Sequence, residues 1–143
     1  MPKVLFHYAD RDLTLNNKRK IQSFIAQVFA KEKVAFSRLD FIFCSDEYLL
    51  NINRTFLKHD FYTDIITFDL SAPKSGMAGE VYISVDRVKE NAGLLSLPFK
   101  EEILRVVFHG VLHLCGYKDK KKEDIKIMRA KENTYIALFK RYK

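Results

Sequence analysis

Two cysteines, Cys44 and Cys115, are all that this chain of 143 residues holds. Both sit inside apolar runs, which excludes a disulfide framework and leaves buried, reduced thiols as the expectation. No apolar run approaches the roughly 18 residues that a membrane span requires, and no basic, apolar, cleavable leader opens the chain. A soluble, cytoplasmic protein with no membrane partner is expected. Internal repeats, low-complexity tracts and linkers are also missing, so residues 1–143 read as a single domain. Acidic residues are in the minority, 18 against 25 Lys and Arg, for a net charge of +7. That surplus suits a polyanionic partner such as a nucleic acid, although a solvated lysine-rich exterior has the same composition. What the chain does have is hydrophobic mass, with 48% apolar residues and 12 Phe, enough for a packed core.

Periodicity orders that mass. Residues 3–8 read as a strand and 10–14 as a polar loop. Ile21, Phe24, Ile25, Val28 and Phe29 then mark one face of a helix over 15–31. A second strand covers 39–44, where Leu39, Phe41 and Phe43 alternate with Asp40, Ile42 and Cys44. Ser45 caps a helix that runs to Phe56 and should bury Leu49, Ile52 and Phe56. After the loop 58–64 comes a strand over 65–70, a loop over 71–79 and a strand over 80–85. Ser84 and Asp86 favour a short helix through Leu94, and Pro98 fits the first turn of the next. The last segment, 120–143, is a basic helix with Ile125, Met128, Tyr135, Ile136 and Phe139 on its inner face.

The helix after Pro98 carries the chemistry. It is apolar on most sides, yet Glu102, Arg105, His109 and His113 follow one another at steps of three and four. Burying such a stripe without partners is costly, so it should line a cavity. His109 and His113 are four apart, one above the other on a helix, and can grip one ion. Gly116 permits a left-handed stop, and the returning chain brings Asp119 to the same point. Two nitrogens and one carboxylate leave a zinc ion with an open position, as at a catalytic site. Such an ion makes a nucleophile of its water, able to attack a carbonyl, a phosphodiester or an amidine carbon. The spacing is that of the long metalloprotease signature, but Gly110 stands where those enzymes keep their general-base Glu. A peptidase is therefore disfavoured, and a phosphodiester fits the nearby Lys118, Lys120, Lys121 and Lys122. Thr63 and Asp64 either brace a metal ligand, bind substrate or form an ordinary turn, His59 is a loop residue that joins the site or is simply exposed, and His7 is structural or on the surface.

His109-Gly-Val-Leu-His113-Leu-Cys-Gly116-Tyr117 resembles the H-G-x-L-H-L-x-G-Y signature of the YbeY family. Upstream, Ile52-Asn53, Phe56, Asp60 and Thr63-Asp64-Ile65-Ile66-Thr67-Phe68 are similar to that family's L-N-x-x-Y-R-x-x-D-x-P-T-D-V-L-S-F segment, and Gly79-Glu80-Val81-Tyr82-Ile83-Ser84 to its G-D-I-x-I-S strand. The resemblance implies an α+β fold, a small mixed four-stranded sheet with about five helices and a zincin-like metal helix. It implies a zinc-dependent endoribonuclease that cuts single-stranded rRNA in 16S rRNA processing and ribosome quality control. One Zn2+ per chain, bound by His109, His113 and Asp119, would be the cofactor, with no organic cofactor; rRNA and ribosomal particles would be the partners. Two departures stand out. The family's third ligand is His where this chain has Asp119, which lets other divalent ions compete. The family's Arg falls on Leu57, leaving Arg54 and Arg105 as candidates to steady the phosphate. A non-catalytic RNA-binding assembly factor with a structural metal is the alternative, and a metallopeptidase a third.

Overall fold

The computed structural model describes residues 2–74 and 76–143; Met1 and Ser75, the latter within the expected loop 71–79, lie outside it. Four strands, β1 (Lys3–Tyr8), β2 (Phe36–Cys44), β3 (Ile65–Asp69) and β4 (Met77–Ser84), form one sheet in the order β1-β2-β4-β3. The first three in that order are parallel, and β3 closes one edge antiparallel to β4. Five helices complete the fold among the described residues: α1 (Lys18–Lys31), α2 (Asp46–Phe56), α3 (Val85–Leu94), α4 (Phe99–Leu114) and α5 (Lys122–Arg141). The expected α+β architecture is what the chain adopts.

Strand alternation divides the core. Leu39, Phe41, Phe43, Val81 and Ile83 point to one face and are fully buried in a cluster with α1, α3, α4 and α5. Cys44, Ile66, Phe68 and Tyr82 point to the other face, where α2 supplies Leu49 and Ile52. Both cysteines are free, and burial raises each thiol to about 12. Ser45 caps α2 by accepting from the Tyr48 N–H at 3.1 Å, and Ser84 caps α3 through Arg87 in the same way. His7 is structural, its Nε2 2.7 Å from Asp40 on β2.

Several boundaries differ from the sequence reading. β4 begins at Met77, inside the stretch expected to be a loop, because its first residues pair with β2 from Phe36 onward. Gly79 belongs to that strand: a Cβ there would stand 3.0 Å from Leu114 Cδ1, so the missing side chain admits α4. α1 starts at Lys18, after a left-handed Asn17, and α5 at Lys122. Phe56 and Ile125 are not buried; they are 67% and 49% exposed, Phe56 meeting Phe68 of β3 only edge to face.

Candidate metal centre

α4 holds the site because of what it hides. Val106, Val107, Phe108, Val111 and Leu112 are buried and fix the helix against its neighbours. Gly110 lets it touch the sheet, as an added Cβ would meet Val81 Cγ1 at 2.9 Å and Ile65 Cδ1 at 3.2 Å. The sheet thus occupies the space that a glutamate at 110 would need, and the protease base has no place in this fold. The polar stripe of Glu102, Arg105, His109 and His113 lines a cavity of about 850 Å³, as the cost of burying it required.

At the end of α4 the chain reverses through Gly116, whose φ is +105°. The Gly116 N–H donates to the His113 carbonyl and the Tyr117 N–H to the Leu112 carbonyl, each at 3.0 Å. This double closure ends the helix with its last carbonyls satisfied. Asp119 returns over the histidines, with Oδ2 3.2 Å from His109 Nε2 and 3.3 Å from His113 Nε2.

The rings are oriented from behind. His109 Nδ1 donates to Glu132 Oε2 at 2.6 Å, and His113 Nδ1 to the Tyr117 carbonyl at 2.9 Å. Both partners accept, so each Nδ1 keeps its proton and each Nε2 offers a lone pair beside Asp119. The three ligand atoms lie within 4.8 Å of one another. In a tetrahedron with bonds of about 2.0–2.1 Å, ligand atoms are about 3.3–3.4 Å apart, and the two imidazole–carboxylate separations match that edge. The donor set therefore fits a small divalent cation.

Burial pulls the His109 imidazole down, but the hydrogen bond and charge of Glu132, with Asp119 and Asp64, outweigh it and leave its pKa raised. Burial lifts the Asp64 carboxyl, against the pull of His109 and with help from Asp119 and Glu132. Such concentrated negative charge is what a cation would offset.

Glu132 was not singled out in the sequence. Its signal was a carboxylate on the buried stripe of α5, four residues after Met128 and three before Tyr135. Thr63, Asp64 and His59 all line the cavity. Arg105 lines it too, but is engaged by Glu132 Oε1 at 3.3 Å and Asn133 Oδ1 at 2.8 Å. Arg54 does not line it; the guanidinium is bound to Asp60 on the surface. Lys120 and Arg129 are also in the lining.

Comparison with known proteins decides the family. The family model described as "Endoribonuclease YbeY" matches residues 6–140. The chain belongs to the YbeY endoribonuclease family. A YbeY endoribonuclease of Cytophaga hutchinsonii is 47% identical over 137 residues, 96% of each chain. One of Christiangramia forsetii is 42% identical over 132 residues, 92% of each. A Thermotoga maritima protein solved in solution superposes with a TM-score of 0.65 at 25% identity, covering 96% of this chain and 89% of its own. The YbeY resemblance read from the histidine signature is borne out, and with it a hydrolase acting on RNA.

Proposed function

We propose that this chain is a zinc-dependent endoribonuclease that cuts single-stranded rRNA, on ribosomal particles, during ribosome maturation in the cytoplasm. The observation that carries the reading is the convergence of His109 Nε2, His113 Nε2 and Asp119 Oδ2 on the wall of a large open cleft. The cation, when bound, supplies a Lewis acid and an activated water. His109 and His113 hold it with fixed tautomers, set by Glu132 and Tyr117. Lys120 and Arg129 bring positive charge to the cleft lining for the phosphate backbone. Arg105 holds Glu132 in place and so acts on the site through His109. The comparisons support the endoribonuclease class; zinc and the ribosomal substrate are inferred from the donor set, the charge and the family.

An RNA cleavage assay tests this, with purified chain, added Zn2+ or chelator, and His113→Ala as control. Cleavage that needs the ion and vanishes in the variant is expected. The alternative, a non-catalytic RNA-binding assembly factor, is favoured by one observation: Leu57 replaces the family cation and Arg54 is tied to Asp60. RNA that binds yet stays intact with every divalent ion would establish that alternative.

A further inference from the structure

Beside the metal ligands, the cleft is lined by an aromatic pair that contributes nothing to the core. The rings of His59 and Phe61 stack with centroids 5.1 Å apart and planes 21° from parallel. Both line the cavity that holds His109, His113 and Asp119, yet Phe61 is 55% exposed. Their neighbours Phe56, Leu57 and Tyr62 are exposed as well, making this the densest run of solvent-facing apolar side chains among the described residues. Large exposed patches of this kind mark binding surfaces.

The loop that presents the pair is firmly held. Asn53, buried on α2, accepts from the His59 N–H at 3.1 Å and donates to the Phe61 carbonyl at 2.9 Å. Arg54 grips Asp60 between them. Both of these hydrogen bonds are to backbone atoms of the loop, so they do not depend on which rings it carries. Fixing two aromatic rings at a wet rim does nothing for burial, but it offers a flat π-face at low ordering cost.

Resting on the ribonuclease reading above, we infer that the stacked His59–Phe61 pair is the platform for an unpaired nucleobase of the RNA strand being cut, and a determinant of single-strand preference. Charge complementarity and continuity with the metal centre select that occupant. Lys120 and Arg129 line the same cavity to follow the backbone, and exposed Ile125 adds apolar surface to it. A base held in a duplex keeps its faces against its neighbours and cannot lie on such a platform.

The test combines Phe61→Ala, His59→Ala and Phe61→Trp with single-stranded RNA carrying either 2-aminopurine or an abasic residue near the cut. Stacking of one base is worth about tenfold in affinity or more. Phe61→Ala should raise KM about tenfold with kcat within about twofold and abolish the quenching of 2-aminopurine on binding. Phe61→Trp should retain both, and the abasic strand should bind wild type and Phe61→Ala alike. Equal KM for wild type and Phe61→Ala overturns the inference. So does a loss that persists on abasic RNA, which would mean that Phe61 shapes the cleft without holding a base. Stopped-flow quenching is read before the first turnover, so it decides the platform even if no RNA is cut, an outcome that would sink only the nuclease reading.

Discussion

Glu132 does more at this site than any residue that is not itself a ligand. Its Oε2 accepts the hydrogen bond donated by His109 Nδ1, and its Oε1 faces Arg105 at 3.3 Å and Arg129 at 3.5 Å. Removing a partner of this type from a metal-binding histidine costs about 10- to 100-fold in metal affinity. Glu132→Gln should lose zinc affinity in that range while folding normally, measured by competition with a chromophoric chelator. Gly110 is the second sensitive position, for a steric reason. Gly110→Ala puts a methyl 2.9 Å from Val81 Cγ1, and overpacking of this kind costs about 1–3 kcal/mol. A lower midpoint in urea unfolding, with the slope unchanged, is the expected result. At this scale the sequence pointed to the three candidate ligands, which the fold brings together, because their spacing is local to one helix and one turn. It concealed Glu132 because that residue lies 23 positions away and meets His109 only through the docking of α5.

Among the elements, the turn after α4 is the piece on which the others depend. Tyr117 orients His113 with its carbonyl and sends its hydroxyl to Glu32 at the end of α1, 2.6 Å away. Tyr135 and Lys131 of α5 converge on the same carboxylate. Burial alone would raise the Glu32 pKa, but the bonds from Tyr117, Tyr135 and Lys131 overcome it and hold the carboxylate below its ordinary value. A lowered folded pKa stabilises the protein above the ordinary glutamate value and ceases to do so as pH falls through the folded one. Glu32→Gln should therefore cost about 1–3 kcal/mol at neutral pH, and the gap to wild type should narrow as pH falls below the ordinary glutamate value of about 4.3 and on through the lower folded one. Denaturant titrations across that range check this. Element type was legible throughout, since periods of two and of about 3.6 are local properties. Burial was less so: a helical stripe names a face without saying whether anything covers it. Phe56 and Ile125 lie on such stripes and stay in solvent, Ile125 in the cleft lining.

Across the whole molecule, charge sets how the substrate arrives. The surplus of 25 basic over 18 acidic residues favours RNA at long range, and Lys120 and Arg129 continue that field into the cleft. Binding of single-stranded RNA should weaken linearly in log–log plots against salt, with a slope of about −0.7 per phosphate contacted. Lys120→Ala should flatten that slope by about 0.7, read by fluorescence anisotropy at several salt concentrations. Composition announced the sign of this charge but not its location, because a surplus spread over the surface and one gathered at a cleft have the same sum. No helix among the described residues is long and apolar enough to cross a membrane, so the basic surface has no hydrophobic span beside it.

The reliance of His109 on a carboxylate from α5 also has a bearing on synthesis. Strands, histidines and Asp119 all leave the ribosome before Glu132 does, so a growing chain possesses its ligands while one imidazole still lacks the acceptor that turns it. The second nitrogen of that ring is therefore fixed in one tautomer only after α5 has docked, the last of the site's supports to arrive.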